Sequence, residues 1–166
     1  KWAASDAVTI TPSLFYQRRT MADSGNYWES LSNPSQGRFL SGQPNASPDR
    51  DRFLLPALNI TADLGGVQII NNTSYYIRDQ SARIDYSTLW PAVFDGTPWV
   101  TPTYNSLAYM TNDQRTFTQE LRLQSNAKEA RLSWVVGAFY AKSVQHFTEN
   151  VDDPRFAEMF GGAPPE

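Results

Sequence analysis

Cysteine is absent from the chain, so no disulfide framework, thiolate nucleophile or Cys-rich zinc site is available. Histidine occurs once, at His146, which leaves a His-based metal cluster impossible by count. No Lys/Arg-rich block interrupts the mild net charge of −3, so nucleic-acid binding has no electrostatic footprint. Long hydrophobic runs are also missing. The longest extends from Trp134 to Ala141, well short of the roughly 18 apolar residues of a membrane-spanning helix. A mean hydropathy of −0.49 still admits a membrane protein, because a strand crossing a bilayer in a barrel is apolar on only one face.

What is present favours strands and loops. Aromatics make up 13% of the residues, and eleven Pro sit among many Ser, Thr and Asn. Five strand-like segments stand out. In the first, about Asp6 to Gln17, Val8, Ile10, Pro12, Leu14 and Tyr16 alternate with Thr9, Thr11, Ser13 and Gln17. The second, about Phe53 to Asp63, sets Leu54, Pro56, Leu58, Ile60 and Ala62 against Asn59, Thr61 and Asp63. Leu64-Gly65-Gly66 then predicts a tight reversal into a third strand, about Val67 to Gln80. The fourth, Arg115 to Ser125, places Phe117, Leu121 and Leu123 opposite Thr118, Glu120, Arg122 and Gln124. A short link, Asn126 to Ala130, leads into the fifth, Arg131 to about Phe147, and a third long loop is expected from Thr148.

Long connections (18–52 and 81–114) therefore alternate with very short ones, and all the short turns fall at one end of the strands. A soluble sandwich has turn signals every 8–12 residues or so and connections of similar size. The asymmetry predicts an all-β fold: about five strands of a larger antiparallel transmembrane β-barrel, with short periplasmic turns and long extracellular loops. The physical basis is that every backbone group inside hydrocarbon must be paired. One end of each strand merely reverses, while the other is free to grow function. The chain starts at Lys1 without Met and ends in Ala163-Pro-Pro-Glu166, and residues 1–166 are expected to be part of a longer protein.

The stretch Phe117-Thr-Gln-Glu-Leu-Arg-Leu-Gln-Ser125, followed after a short turn by Leu132-Ser-Trp-Val-Val-Gly-Ala-Phe-Tyr140, resembles a recurrent hairpin of TonB-dependent receptors. In that family a QELRL-S strand precedes a W-VG-FY strand. The earlier hairpin, Leu58 to Arg78, is similar to the family's barrel in its DLG turn and its TSY strand with a nearby Arg. The two segments cover roughly the strand half of the chain. The resemblance implies a plugged outer-membrane barrel of twenty-two strands that imports iron-siderophores, haem, cobalamin or carbohydrates with energy delivered through TonB. The plug domain and the TonB-contacting box would lie elsewhere in the parent protein. Implied partners are the TonB complex, the plug, the nutrient ligand, outer-membrane lipid and lipopolysaccharide. No cofactor is implied.

Few residues are candidates for chemistry. His146 has no nucleophile motif such as G-x-S-x-G near it and reads as a polar residue at a strand's outer end, so no catalytic residue is expected. Glu120 and Arg122 lie two apart on one strand face and are expected to face the lumen as an ion pair or a plug contact, since an Arg towards lipid near the midplane costs about 2–4 kcal/mol. Asp49 with Asp51, and Asp152 with Asp153, could contribute to a calcium site or a glycosidase carboxylate pair, but without further ligands at defined offsets they read as solvated loop charges, and no metal site is expected. Phe15, Tyr16, Tyr75, Tyr76 and Tyr140 suit interfacial girdles. Loop aromatics Tyr27, Trp28, Trp90, Trp99 and Tyr104 offer either loop packing or a ligand-contacting surface at the barrel mouth. Arg18 and Arg19, at the base of the first loop, suit an anionic ligand or lipopolysaccharide. The competing arrangement is a soluble β-sandwich that binds or cleaves carbohydrate, burying Val8, Ile10, Leu14, Leu54, Leu58 and Ile60 in a closed core. A porin-like barrel without a plug is the third.

Overall fold

The structure is a computed structural model and describes residues 1–94, 104–127 and 131–155. Six strands form one open antiparallel sheet in sequence order: β1 (Trp2–Ala3), β2 (Val8–Met21), β3 (Asp49–Asp63), β4 (Val67–Asp85), β5 (Leu107–Ser125) and β6 (Val135–Asp152). One short helix, α1 (Leu89–Phe94), and two 3₁₀ turns, Glu29–Leu31 and Pro34–Gln36, lie in the long connections. Among the described residues no helix is long and apolar enough to cross a membrane.

The expected alternation of short and long connections is present, but the strands run further than the apolar pattern indicates. β2 continues through Arg18 and Arg19 to Met21, β3 starts at Asp49, β4 reaches Asp85, and β5 starts at Leu107. β6 spans Val135–Asp152, so Thr148 lies inside a strand and does not open a loop. The cause is visible in these extensions. A ladder needs only backbone groups, and its polar side chains pair across strands, as Thr111 Oγ1 does with Thr148 Oγ1 at 2.6 Å. The connection before β6 covers 126–134, longer than the predicted link, of which 128–130 lie outside the described residues. β1 escapes the sequence pattern because two residues carry no period; it pairs Trp2 with Ile10 and Ala3 with Thr9.

The chain divides into two compact units. Unit 1 comprises Lys1–Arg18, Arg52–Asp79 and Asp113–His146. It holds the short turns. Leu64 N donates to Val67 O at 2.9 Å, and Gly65 and Gly66 take φ of 78° and 153°, values open to glycine without strain. Asp63 N donates to Ala7 O at 2.8 Å, Asn126 N to Gly66 O at 2.8 Å and Ser125 N to Trp134 O at 2.9 Å, fixing the pairings at this end.

Within unit 1, strand alternation and the cross-strand side-chain bonds define two faces. One face carries Ser13, Asn59, Thr61, Gln68, Asn72, Ser74, Thr118, Glu120, Arg122 and Gln124 together with Leu55, Ile70 and Phe139, and hydrogen bonds join Asn59 to Asn72, Asn72 to Glu120, Ser74 to Thr118 and Gln68 to Gln124 across strands. The other carries Val8, Ile10, Leu14, Leu54, Leu58, Ile60, Ile69, Ile77, Phe117, Leu121, Leu123, Val136 and Val144. The second face is uncovered: Leu14 is 68% exposed, Leu121 45% and Val136 62%. Among the described residues the only buried apolar side chains are Pro91 and Ala108, both in unit 2. Unit 1 thus has no hydrophobic core of its own.

Unit 2 comprises Arg19–Asp51, Gln80–Asn112 and Phe147–Glu166. It contains the long connections and the strand ends that bear them. Its most buried side chains are polar, Asp85, Ser87 and Ser106.

Candidate functional site

The polar face of unit 1 is held by one chain of side-chain bonds and two separate cross-strand pairs. Asn59 Nδ2 donates to Asn72 Oδ1 at 2.6 Å, and Asn72 Nδ2 donates to Glu120 Oε2 at 2.9 Å. Glu120 Oε1 stands 3.5 Å from Arg122 Nη2. Gln124 Nε2 donates to Gln68 Oε1 at 2.8 Å, and the Ser74 and Thr118 hydroxyls meet at 2.5 Å. A cleft of about 310 Å³ lies over this network, lined by Ser13, Asn59, Asn72, Ser74, Glu120 and Phe139 among others. Its chemistry is that of hydrogen bonding and one carboxylate; it suits reversible contact with polar groups. Gly137 lets β6 approach here, since a Cβ on it would stand 3.0 Å from Leu121 O.

The same face carries an aromatic cluster. Phe15 and Phe53 stack at 5.1 Å between centroids, and Phe53 meets Tyr76 at 5.7 Å. Phe15 and Tyr76 therefore do not join an outward girdle as predicted; their odd and even positions on β2 and β4 put them with the polar network. Tyr16, Tyr75 and Tyr140 do lie on the apolar face, where Tyr140 packs against Phe117 at 6.2 Å.

In unit 2 the loops are tied to a buried carboxylate. Asp85 is 1% exposed, and its Oδ2 accepts from Asn45 N at 2.7 Å while Oδ1 accepts from Ser87 N at 2.9 Å. Ser47 Oγ accepts from Asp85 N at 3.1 Å, Gln43 Nε2 donates to Asp85 O at 3.2 Å, and Ser87 Oγ accepts from Ser106 N at 2.9 Å. A second anchor is Tyr86, whose hydroxyl donates to Glu149 Oε1 at 2.8 Å. Burial first, and then the bond and charge of Glu149, push the Tyr86 phenol above the ordinary tyrosine range.

The predicted site residues fall into separate places. Glu120 and Arg122 come together on the polar face, with 3.5 Å between Glu120 Oε1 and Arg122 Nη2. Arg19 is ion-paired with Asp49 and lies 3.9 Å from Asp51, so this acidic pair serves an arginine. Tyr27 meets Phe39 edge-on at 5.0 Å and lines a cleft of about 460 Å³ with Asp23, Asn26, Phe39 and Ser41. Trp28 covers Gly42, where an added Cβ would stand 2.4 Å from the indole. Trp90, on α1, packs edge-on against Tyr86 at 5.0 Å, and Arg155 lies over the Tyr104 ring at 5.7 Å. Arg18 is exposed on β2, and Trp99 lies outside the described residues. Each of the described loop aromatics packs against a neighbour. Asp85, Phe39, Asn59 and Asn72 are the residues that sequence reasoning misses. A lone acidic residue or an Asn pair carries no periodic signal, and only the fold gives each its partners.

His146 is exposed on β6 and bonds to no carboxylate or hydroxyl among the described residues. Among those residues, no group of three or more acidic or histidine side chains is gathered for a metal. No family model, no curated protein and no solved structure matches this chain.

Proposed function

We propose that the chain is part of the wall of an outer-membrane β-barrel of the TonB-dependent receptor kind, and that its parent takes up an iron-siderophore or a similar nutrient with energy from TonB. The observation that carries the barrel reading is the two-sidedness of unit 1: a single sheet with bonded polar side chains on one face and uncovered apolar ones on the other. Water does not favour so large an exposed apolar face, whereas lipid does. Each of its five longer strands spends about 11 to 13 residues in unit 1, enough for a tilted crossing of the hydrocarbon. The hairpin resemblance around Phe117–Tyr140 supplies the receptor family. In this reading the loops of unit 2 capture the ligand, and the network around Glu120 and Arg122 faces the lumen and the plug. No bond is made or broken in the ligand.

The test is detergent dependence of folding. The chain is expected to give a strand spectrum in micelles and to aggregate in plain buffer. A monodisperse, cooperatively melting monomer in buffer would overturn the barrel reading and favour the soluble carbohydrate-binding sandwich. The transport part is tested by deleting the parent gene and following growth under iron restriction; unimpaired growth and undiminished siderophore uptake argue against it.

A further inference from the structure

The first long connection of unit 2 closes on itself as a small hairpin. Trp28 N donates to Leu40 O at 2.9 Å, and Leu40 N donates to Ser32 Oγ at 2.9 Å. Asn33 and Arg38 pair in both directions, Asn33 N to Arg38 O at 2.8 Å and Arg38 N to Asn33 O at 3.1 Å. These bonds fix the two segments that carry Tyr27 and Phe39. Their rings meet at 5.0 Å between centroids and at 66°, and the side chains are 45% and 56% exposed. Two rings at that angle make a corner in which one group can meet both π-faces. A sugar ring stacks instead on a single flat platform.

Both rings line the cleft of about 460 Å³, and Asp23 and Ser24 line it with them. Asp23 Oδ1 accepts from Ser24 N and from Ser47 N, each at 2.7 Å, which holds the carboxylate in one place. Its Oδ2 accepts no hydrogen bond among the described residues. Ser24 Oγ is buried and has no partner among the described residues, and a turn about χ1 brings it to a donor entering the cleft. Asn26 and Ser41 add further side-chain oxygens. Among the described residues of the lining, Asp23 carries the only charge. A fixed carboxylate with one oxygen uncommitted, two ring faces and no basic side chain to neutralise them complement a positive group. An anion would be repelled here, and a neutral polyol would leave the charge unmatched.

We propose that this cleft binds a small organic cation, an alkylammonium ion, which donates to Asp23 Oδ2 and sets its nitrogen and adjoining CH₂ groups in the corner between Tyr27 and Phe39. The inference goes beyond the receptor reading. It stands on the geometry of unit 2 alone and does not require unit 1 to face lipid. An ammonium group has three donors and no acceptor, so a carboxylate and hydroxyl oxygens suit it and the cleft's rings take up its charge where those oxygens do not reach.

The test uses the full chain, isotope-labelled, in uncharged polyoxyethylene micelles, which contain no sugar. Backbone amide shifts are followed as putrescine, a linear diamine, is added; the uncharged diol of the same length is the control. Putrescine is expected to shift the amides of Ser24, Asn26, Tyr27 and Phe39 saturably and to bind at least about tenfold tighter than the diol. Tyr27→Leu and Phe39→Leu should each weaken it about two- to fivefold. Asp23→Asn keeps one oxygen for the Ser24 and Ser47 amides but turns a donor towards the ligand, and should weaken binding about tenfold. Phe39→Leu leaves both Asp23 bonds in place, so its loss cannot come from a released carboxylate. Equal binding of diamine and diol overturns the inference. Binding that neither ring variant weakens also overturns it, as a general attraction of cations to surface charge. Larger shifts with methyl glucoside than with putrescine overturn it in favour of a sugar site.

Discussion

Thr73 donates its hydroxyl to the Gln119 side-chain oxygen at 2.6 Å, and both residues sit on the otherwise apolar face of unit 1. Gln119 Nε2 donates in turn to Asn71 Oδ1, and Asn71 Nδ2 donates to Thr73 Oγ1 at 3.2 Å, closing a ring of three side chains. On the proposed barrel reading this face meets hydrocarbon, where polar groups must be paired among themselves, as they are in this ring. Gln119→Leu would leave Asn71 and Thr73 with unmet donors and acceptors. We expect it to lower stability in micelles by about 0.6–2 kcal/mol, measured by reversible urea unfolding. Combining Gln119→Leu with Asn71→Leu and Thr73→Val removes every member of the ring and should restore most of the loss. A stability unchanged by Gln119→Leu would mean that the ring lies in water.

Ser13 and Leu14 are neighbours on β2 that face opposite sides, Ser13 lining the polar cleft and Leu14 standing 68% exposed on the apolar face. On the proposed barrel reading an arginine at Leu14 would enter lipid and cost about 2–4 kcal/mol near the midplane. The same arginine at Ser13 would meet polar groups and remain hydrated. Unfolding free energies of Leu14→Arg and Ser13→Arg in micelles should therefore differ by that amount, with Leu14→Arg the weaker. Equal stabilities would argue against a lipid boundary.

How far the fold is legible in the sequence follows from what period-two alternation can encode. It places Val8 to Tyr16, Leu54 to Ala62 and Phe117 to Gln124 on the right faces, because one side of each segment is apolar and the other is not. It stops short of the true strand ends at Gln17, Phe53, Gln80 and Arg115. Beyond those points the one-sided alternation is lost, and pairing is sustained by backbone ladders and cross-strand bonds such as Thr111 with Thr148, which no local pattern announces. Residue type alone assigns Phe15 and Tyr76 to the girdle, although their positions already set them opposite Tyr16 and Tyr75. In the loops, the aromatics are legible as aromatic, but their partners Phe39, Gly42 and Tyr86 depend on how the chain returns on itself.

Asp85 is the support of the unit 2 loops. Its two oxygens accept from the amides of Asn45 and Ser87, 40 residues and 2 residues away in sequence. Asp85→Asn turns one oxygen into an amine that faces a donor, so one of these bonds is lost. Bonds to a charged acceptor are worth about 1.5–3 kcal/mol. We expect a loss of that size, expressed locally as faster hydrogen exchange at Asn45 and Ser87, with exchange in unit 1 unchanged. Uniformly faster exchange would make Asp85 part of a single global unfolding unit.

Tyr86 gives unit 2 an alkaline limit. Burial and Glu149 raise its folded pKa, so the folded state holds the phenolic proton more tightly than the unfolded chain. The resulting stabilisation is fully present below the unfolded value of about 10 and is lost as pH rises through the folded value. Thermal midpoints should hold from pH 8 to about 10 and fall above it, and Tyr86→Phe should flatten that fall. A slope unaltered by Tyr86→Phe would assign the alkaline loss to another group.

Gly42 lies against the face of Trp28, close enough that a Cβ would stand 2.4 Å from the indole carbons. The backbone between them is already closed, with Trp28 N donating to Leu40 O at 2.9 Å and Leu40 N to Ser32 Oγ at 2.9 Å. In Gly42→Ala the indole must therefore swing away, or the loop must shift. Overpacking of this kind costs about 1–3 kcal/mol. We expect Gly42→Ala to speed hydrogen exchange at the Trp28 and Leu40 amides and to admit protease between Tyr27 and Ser41. Trp28→Ala in the same chain removes the obstruction, so Gly42→Ala should add little further exchange there. If Gly42→Ala acts equally with and without the indole, its effect comes from the backbone at Gly42 and not from the ring above it.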